Sequence, residues 1–532
     1  MTSQPPSQRQ SINRSVSIAA IIMMASVLLS RVAGMFREMT LANLGGTGSE
    51  MDAYVAAFLI PELLNHFLAG GFLSVTFIPI FQKYITANDE TGAWKTFSNM
   101  VTVGTAAFAV VLPAAVIFAP NLLSLTGFAN QDPQTFALTA RLTRIILPAQ
   151  ILFYWGAFLM AVQYARQKFF LPAMAPLLYN IGIIAGGILL GPSMGIEGFA
   201  WGVLAGAFVG NVAVQLPGAL KVGMRYGFRF SPADPEFIHY IKLTVPLIAG
   251  LGMSFSNEIF FRYFASFLES GAVAGANYAL RTMMILVGVF GQASGVAFYP
   301  YLAKLAAEKA YGQMSELLND TINKVALYLL PLTGVMMALS PQIIMVLYEH
   351  GKFNRESTLA TAPILTMYLT GAFATSVSIL AARPFYAMQK TLLPMVVSTT
   401  ISILSIPLYY MFSKEMGPKG LGLASGVAGT AQFLILYIMW GKRYGGFDAL
   451  RGEVLKLGKI VAVSAVGAAV CYGVNGMIDG FSIDMESTFG RGRMIMVCAV
   501  SSVAALITVF GLYELLGLQK FRESVRGLVR KR

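Results

Sequence analysis

Apolar residues occur along this chain in runs of about twenty, separated by short polar stretches. A run of this length can cross a hydrocarbon layer of about 30 Å as a helix, because a helix satisfies its own backbone hydrogen bonds where lipid offers none. The runs therefore predict an all-α polytopic membrane protein of about fourteen transmembrane helices. The predicted spans are 17–37, 52–80, 97–120, 136–163, 171–191, 196–219, 238–267, 272–303, 317–348, 358–387, 391–413, 420–441, 456–477 and 494–517.

The composition agrees with this class. Hydrophobic residues make up 56% of the 532 residues and charged residues 12%, with a mean hydropathy of +0.66, whereas soluble domains carry about 25% charged residues. The net charge of +13 would suit a nucleic-acid ligand, but Lys and Arg are concentrated in alternate short loops and at the chain ends, as the positive-inside rule requires. We therefore predict no nucleic-acid partner and both termini in the cytoplasm.

The chain carries no signal for covalent chemistry. Residues 1–16 are polar and predict a cytoplasmic tail before a retained first span. Cys471 and Cys498 both lie in late apolar runs, which excludes a disulfide framework and a cysteine metal site. Nucleotide-binding, serine-hydrolase and zinc motifs are absent from the sequence. We predict that the protein is not an enzyme and holds no metal or other cofactor.

Three short motifs recur in the same order at a nearly constant spacing. YARQK at 164–168 returns as YAMQK at 386–390 and GIEGFA at 195–200 as GPKGLG at 417–422, both 222 residues later, and VTFIPI at 75–80 returns as VAFYPY at 296–301, 221 residues later. The repeat unit holds six spans, an even number, so both copies have the same orientation. This plan is typical of transporters with the substrate path between two repeats.

The repeat predicts the domain organisation. We expect an N-lobe of six helices at 17–225 and a C-lobe of six helices at 235–445. A further helix pair at 455–518 lies outside the repeat, and a basic cytoplasmic tail follows at 519–532.

Several charged residues lie within the predicted spans, where charge is costly and usually marks a pathway or a partner. In the first half they are Arg31, Arg37 and Glu38, with Asp52 at the start of the second span, and in the second half Glu258, Arg262 and Arg281. A guanidinium offers a planar fork of donors that suits phosphate oxygens. Arginines around one cavity would therefore bind a diphosphate. The alternative is that Arg31 and Arg37 reach a membrane interface or form a structural pair with Glu38 or Asp52.

Two titratable residues allow a coupling role. Glu258 is a candidate for cation or proton coupling, and the competing interpretation is an ion pair with Arg262 four residues later. His66, beside Asn65, could titrate near neutral pH, or it could be a hydrogen-bonded packing residue. Gly202, with Gly206 and Gly210, has the GxxxG spacing that favours close helix packing.

The chain resembles the MurJ (MviN) family of lipid II flippases, in the multidrug/oligosaccharidyl-lipid/polysaccharide (MOP) exporter superfamily, from about residue 26 to 445. The motifs that carry the resemblance are SRVAGMFRE at 30–38, DAYVAAFLIP at 52–61, GFLSVTFIP at 71–79, FLPAMAPLLYNI at 170–181, NYALR at 277–281, HGKF at 350–353 and PFYAMQKTLLP at 384–394.

The resemblance implies two six-helix lobes around a cationic cavity, and alternating access that carries an undecaprenyl-diphosphate-linked peptidoglycan precursor, lipid II, outward across the bacterial inner membrane. It implies that Arg31, Arg37 and Arg281 bind the diphosphate and that the last two helices form a groove for the lipid tail. Asp52, with Glu38, Asn65 and His66, would orient or gate. We expect a monomer that contacts membrane lipids and is driven by membrane potential or by a Na⁺ or H⁺ gradient.

This chain departs from the family pattern at four places. Asn65 stands where an arginine is usual, Gly70 where a glutamate is usual, and Leu280 where an acidic residue precedes Arg281. The acidic position of the seventh helix falls near Phe261, one turn from Glu258. These departures leave open a related exporter that flips another polyprenyl-linked oligosaccharide. A drug/cation antiporter is a further alternative, against which the arginines argue.

Overall fold

The computed structural model describes residues 6–65, 72–252, 256–444, 447–479 and 490–518, and these residues are mainly helical, with no strand among them. Within this described part, eleven helical stretches are long and apolar enough to cross a membrane. The all-α membrane class is confirmed. The total of fourteen spans remains a prediction, because the predicted second and seventh spans include positions outside the described residues.

Packing divides the chain into two units. Unit 1 comprises Met1–Gly252 and the short segment His350–Phe353, and unit 2 comprises Met253–Glu349 and Asn354–Arg532. This boundary falls inside the predicted seventh span, and the lobe limits drawn from the sequence remain predictions.

Unit 1 contains twelve numbered α-helices in its described residues. They are α1 (Pro6–Gly45), α2 (Ser49–Ala57), α3 (Leu59–Leu64), α4 (Phe72–Thr86), α5 (Glu90–Ile117), α6 (Ala119–Ser124), α7 (Pro133–Ile146), α8 (Ala149–Ala165), α9 (Phe170–Met194), α10 (Glu197–Phe208), α11 (Gln215–Lys221) and α12 (Pro235–Gly252), with a π-helical turn at Val209–Ala213.

Unit 2 continues the numbering. Its described helices are α13 (Ser256–Ala265), α14 (Ala272–Leu286), α15 (Ser294–Ala307), α16 (Tyr311–Ala338), α17 (Ser340–Tyr348), α18 (Arg355–Thr370), α19 (Ala372–Ala387), α20 (Leu392–Met416), α21 (Pro418–Tyr444), α22 (Phe447–Asp479) and α23 (Gly490–Leu515), with a π-helical stretch at Val287–Ala293.

The two units repeat the same helix endings. Gln167 and Gln389, which are 222 residues apart, both have a left-handed backbone, with φ of 57° and 60°. The amide after each of them bonds to the carbonyl five residues earlier, at 2.8 Å in both copies, which is the Schellman ending of a helix. Gly195 and Gly417 form a second pair at the same spacing, with φ of 59° and 60°. Local backbone geometry therefore bears out the repeat inferred from the sequence.

Close packing in unit 1 depends on glycines. A Cβ placed on Gly186 would lie 2.4 Å from the Cα of Gly202, and one on Gly182 would lie 2.3 Å from the Cα of Gly206. Helices α9 and α10 therefore touch backbone to backbone, which confirms the interpretation of the GxxxG spacing. Aromatic side chains fill the neighbouring core, where Phe77 lies edge-on to Phe158 with ring centroids 5.0 Å apart.

The predicted second span is interrupted one turn before Pro61, where a proline removes the backbone hydrogen bond to the carbonyl four residues earlier. Helix α2 ends at Ala57 and α3 starts at Leu59, so the break falls at Phe58, ahead of Pro61. Gly70 and the residue after it lie outside the described residues.

The segment His350–Phe353 packs on the turn between α1 and α2. The amide of Lys352 donates to the carbonyl of Asn43 at 2.8 Å, and its Nζ lies 3.6 Å from Glu50. The approach is close enough that a Cβ on Gly46, whose φ is 69°, would meet the carbonyl of Lys352 at 2.8 Å. The motif HGKF thus forms part of unit 1.

In unit 2, α22 and α23 pack on each other and on α16. A Cβ on Gly334 of α16 would lie 3.2 Å from the carbonyl of Ser464 on α22, and one on Gly467 would lie 2.4 Å from Val509 on α23. Cys471 and Cys498 are both thiols and form no disulfide with each other.

Candidate functional site

Helix α1 is fastened to α9 by polar bonds to backbone carbonyls. The hydroxyl of Ser26 donates to Ala173, and Nδ2 of Asn180 donates to Ser30 at 3.3 Å. Gly34 faces the same contact, and a Cβ there would lie 3.9 Å from Nδ2 of Asn180, an ordinary van der Waals distance. These contacts fix the rotation of α1 at the level of the motif SRVAGMFRE.

Arg37 is the best-defined candidate. One terminal nitrogen of its guanidinium donates to Oδ1 of Asn180 at 3.1 Å, and the other donates to the carboxylate of its neighbour Glu38. The side chain of Arg37 is 22% exposed and that of Glu38 is 7% exposed. The guanidinium is therefore held in a defined orientation, inside an apolar unit, while one part of it remains accessible.

Two tyrosines interact electrostatically with Arg37. The hydroxyls of Tyr54 on α2 and Tyr179 on α9 lie within electrostatic range of Arg37, and Glu62 on α3 lies within range of Tyr179. Four helices, α1, α2, α3 and α9, therefore contribute polar groups to one region of unit 1. Tyr54, Tyr179, Asn180 and Glu62 were not among the candidates drawn from the sequence. The first three lie in motifs that carry the family resemblance, and the amide of Asn180 within an apolar span was the signal that could have identified it.

The other candidates of unit 1 have different environments. Asp52 is 2% exposed in the first turn of α2, where a carboxylate interacts favourably with the helix dipole. Arg31 is exposed on α1. The wide angular separation of Arg31 and Arg37 on one helix explains this difference, since α1 runs without interruption through Gly34.

Asn65 and His66 lie at the edge of the described region. Asn65 is half-buried at the end of α3. His66 and Gly70 lie outside the described residues, so their predicted roles remain predictions.

The candidates of unit 2 lie on two helices. Arg281 is half-buried on α14, next to Thr282, whose hydroxyl is 3.0 Å from that of Tyr348. Arg262 is 2% exposed on α13, with its guanidinium carbon 5.6 Å from the ring centroid of Phe261. Glu258 belongs to α13, but its side chain lies outside what the structure describes, so its pairing with Arg262 remains a prediction.

Arg383 on α19 is an additional intramembrane arginine. Its guanidinium carbon lies 5.6 Å from the ring centroid of Tyr299 on α15, and Gly295 leaves room for it, since a Cβ there would meet Nε at 3.2 Å. Its Nε is buried without a hydrogen-bond partner among the described residues. The sequence carried a signal for Arg383, because it is a charged residue inside the predicted span 358–387. Arg281 was identified in the same way, as a charge inside another predicted span.

Two repeats of long apolar helices, with arginines and carboxylates held among them, define a class: polytopic α-helical membrane transporters built from a duplicated unit. Within that class, the chain belongs to the lipid II flippase MurJ family, whose family model matches residues 41–488. The match confirms the resemblance carried by the sequence motifs. Arg31, Arg37 and Glu38 precede the matched segment.

Individual proteins agree with this assignment. A relative from Rhizobium tropici, described as a probable lipid II flippase MurJ, is 29% identical over 533 residues, which cover 95% of each chain. A solved structure of lipid II flippase MurJ in an inward closed conformation has a TM-score of 0.77 at 24% identity and covers 93% of this chain and 99% of that one. An inward-facing multidrug resistance MATE family transporter of the MOP superfamily has a TM-score of 0.68 at 14% identity, with 81% and 99% covered. These structural likenesses show the fold.

Proposed function

We propose that this protein flips lipid II from the inner to the outer leaflet of a bacterial inner membrane by alternating access. Its family membership supports this function, as does the duplicated helical unit. The substrate carries a diphosphate between a polyprenyl tail and a polar sugar-peptide. The headgroup needs cationic donors along its path, and the tail needs an apolar surface.

The orientation of Arg37 is the observation that carries the proposal. Within the described part of the chain, its hydrogen bonds to Asn180 and Glu38 occupy two of the five N–H donors of a guanidinium. The remaining donors can bind phosphate oxygens without breaking the pair that holds the side chain. A charge-assisted bond is strong in such a poorly hydrated region, and the planar fork matches two oxygens at once.

We assign supporting roles to the other candidates. Arg31 and Arg281 would bind the diphosphate at other stages of the path, and Asp52 would orient or gate together with Glu38, Asn65 and His66. Glu258 would couple transport to Na⁺ or H⁺, with membrane potential as the other driving force. In this proposal the protein acts as a monomer, transports without covalent chemistry, and has both termini in the cytoplasm.

The helix pair α22 and α23 would hold the lipid tail. Both helices present large apolar side chains outward, including Tyr472 at 70% and Met477 at 77% exposure on α22, and Ile507 at 69% on α23. An apolar surface built by a pair outside the repeat suits a polyprenyl chain that stays in the bilayer while its headgroup crosses.

A second candidate substrate is another polyprenyl-diphosphate-linked oligosaccharide. The half-buried Asn65 favours it, because this position carries an arginine in the family pattern and an amide binds a phosphate less strongly. The diphosphate chemistry of Arg37 is common to both substrates.

Complementation tests the proposal. A bacterium depleted of its own lipid II flippase would receive the wild type, Arg37→Ala, Arg37→Lys or Arg144→Ala. Arg144 is the matched control, because it is an exposed arginine of unit 1 whose Nε bonds to the carbonyl of Val116 at 3.0 Å. We expect rescue by the wild type and Arg144→Ala, no rescue by Arg37→Ala, and weak rescue by Arg37→Lys, which keeps the charge but loses the fork.

Expression must be checked for every variant by quantifying the protein in membranes. Failure of a well-expressed wild type to rescue would contradict lipid II as the substrate and favour the second candidate. Full rescue by Arg37→Ala would contradict the role of Arg37. Proteoliposomes with a fluorescent lipid II and a fluorescent polyprenyl-diphosphate oligosaccharide would then measure transbilayer movement of each substrate directly.

A further inference from the structure

The chain that leaves the first repeat is fastened to the side of α5. Helix α11 ends in a Schellman turn at Gly223, whose φ is 88°, and the amide of Met224 bonds to the carbonyl of Ala219 at 3.1 Å. Residues 224–231 then follow without helix or turn. An irregular stretch at the end of a membrane helix needs partners for its backbone, and α5 supplies them.

Two pins hold this stretch. The amide of Gly227 donates to Oγ of Ser98 at 3.1 Å. The carboxamide of Asn99 bonds to both backbone groups of Ser231, accepting from its amide at 2.7 Å and donating to its carbonyl at 2.9 Å. Ser98 and Asn99 are neighbours and both are buried. The two bonded positions are four residues apart in the irregular stretch, at Gly227 and Ser231, but only one residue apart on α5, at Ser98 and Asn99. Residues 228–230 therefore arch away from α5.

The arch lies where α5 enters its apolar stretch. The charged residues of α5, Glu90 and Lys95, and its amide Asn99 lie in its first ten positions, and no charged or amide side chain follows from Met100 onward. The hydroxyl of Tyr226 lies 3.0 Å from that of Thr102. Thr102 is four residues, or about 6 Å, further along α5 than Ser98. The ring of Tyr226 therefore points along α5 toward the hydrocarbon.

The arch exposes aromatic rings beside basic residues. Phe228 is 82% exposed and Phe230 is 54% exposed. Arg229 lies between them in the sequence, and Arg225 lies three residues before Phe228. Arg229 is kept in place by a contact of 3.2 Å with Asp234. Aromatic rings favour the level of the lipid headgroups, and basic residues there attract anionic lipids.

We propose that residues 225–230 are a membrane-interface anchor. Phe228 and Phe230 lie in the interfacial layer of the leaflet on the side where α5 begins, and Arg225 and Arg229 bind the headgroups of anionic phospholipids. Two exposed rings next to two exposed arginines, of which Arg229 is paired with Asp234, fit a lipid surface with negative charge. The anchor would tie the link between the two repeats to the bilayer, and it does not depend on which substrate is transported.

Site-directed spin labelling of the full chain tests this anchor. In a cysteine-free background made by Cys471→Ala and Cys498→Ala, single variants Phe228→Cys and Phe230→Cys would carry a nitroxide. Ala87→Cys is the matched control, an exposed site in the turn between α4 and α5 on the same side. Each protein would be reconstituted in vesicles of phosphatidylcholine with and without one quarter phosphatidylglycerol, and collisions with oxygen and with a water-soluble nickel complex would be measured.

We expect the labels at 228 and 230 to collide at least threefold less with the nickel complex than the label at 87, and more with oxygen. The protection should fall in pure phosphatidylcholine and in an Arg225→Gln, Arg229→Gln background. Equal nickel accessibility at 228, 230 and 87 would overturn the anchor. Protection that is identical in neutral vesicles would overturn the headgroup-binding part of the proposal. An unchanged size-exclusion profile confirms that each labelled variant is folded.

Discussion

Arg37 on α1 and Asn180 on α9 are joined by a hydrogen bond of 3.1 Å between the guanidinium and Oδ1, although 143 residues separate them in the chain. The other end of the same amide donates to the carbonyls of Pro176 and Ser30. The amide cannot rotate without losing these bonds, so its oxygen is committed to Arg37. The guanidinium is therefore oriented before any ligand arrives.

Removal of the Asn180 amide should weaken transport without removing the charge. A hydrogen bond to a charged group contributes about 1.5–3 kcal/mol, so we expect Asn180→Ala to slow lipid II movement in proteoliposomes by roughly tenfold or more. Asn211→Ala is the control, because Asn211 is buried in the same unit and its amide donates to the carbonyl of Ala207 at 3.2 Å. Equal rates for the two variants would argue against an orienting role of Asn180.

Glu38 should matter for stability, and Arg37 for transport. Glu38→Gln removes the carboxylate that compensates the guanidinium. Breaking a buried ion pair in this way costs about 3–5 kcal/mol, so the thermal unfolding midpoint in detergent should fall. The double variant Arg37→Leu, Glu38→Leu should recover most of this stability while remaining unable to transport. A double variant that transports would show that the pair is structural only.

The repeated left-handed turns offer a stability test. A non-glycine residue with positive φ costs about 1–2 kcal/mol, and glycine relieves most of this at an entropic cost of about 0.5–1 kcal/mol. We therefore expect Gln167→Gly and Gln389→Gly each to raise the unfolding midpoint slightly, and by similar amounts. Gln134→Gly, within α7, should lower it. Opposite signs at 167 and 389 would contradict equivalent strain in the two copies.

The contact between α9 and α10 should not tolerate a methyl group. Gly186→Ala would place a Cβ 2.4 Å from the Cα of Gly202, and overpacking of this kind costs about 1–3 kcal/mol. Gly191→Ala in the same helix meets nothing within 4 Å and should be neutral or slightly stabilising. The comparison is made by thermal unfolding in detergent, and equal midpoints would contradict the backbone contact.

The start of α7 should depend on pH. Asp132 accepts from the amides of Gln134 and Thr135, both at 3.0 Å, and bonds to the side chain and backbone of Thr135 lower the pKa of this carboxyl below its usual value. Its stabilisation is then complete above the unfolded pKa, near 4, and is lost as the pH falls through the lowered folded value. Hydrogen exchange at 134–136, corrected for intrinsic rates, should rise in that range. In Asp132→Asn this rise should be absent.

Local patterns made the membrane class and the repeat predictable. A run of apolar residues determines whether a segment crosses lipid, and the motif that ends a helix determines its left-handed residue, as Gln167 and Gln389 show. Neither property requires knowledge of a distant neighbour. For the same reason the GxxxG spacing around Gly202 correctly indicated a backbone contact.

The candidate site was only partly predictable. Arg37 was identified because a charge in an apolar run is costly. Asn180, which orients it, and Tyr54, which interacts with it electrostatically, are uncharged and carry no signal of that kind. The anchor around Phe228 could not be predicted from the sequence either, because the side chains that hold it, Ser98 and Asn99, belong to a helix more than a hundred residues earlier.

The sequence by itself determined that the long apolar segments form helices in lipid and that several short motifs recur in the same order at one spacing. The tertiary structure decided which face of α1 meets α9, that Arg37 is held while Arg31 is exposed, and that residues 228–230 stand away from α5. The physical reason is that hydropathy and backbone conformation are properties of neighbours in the chain. The rotation of one helix against another is set by the summed packing of side chains far apart in sequence.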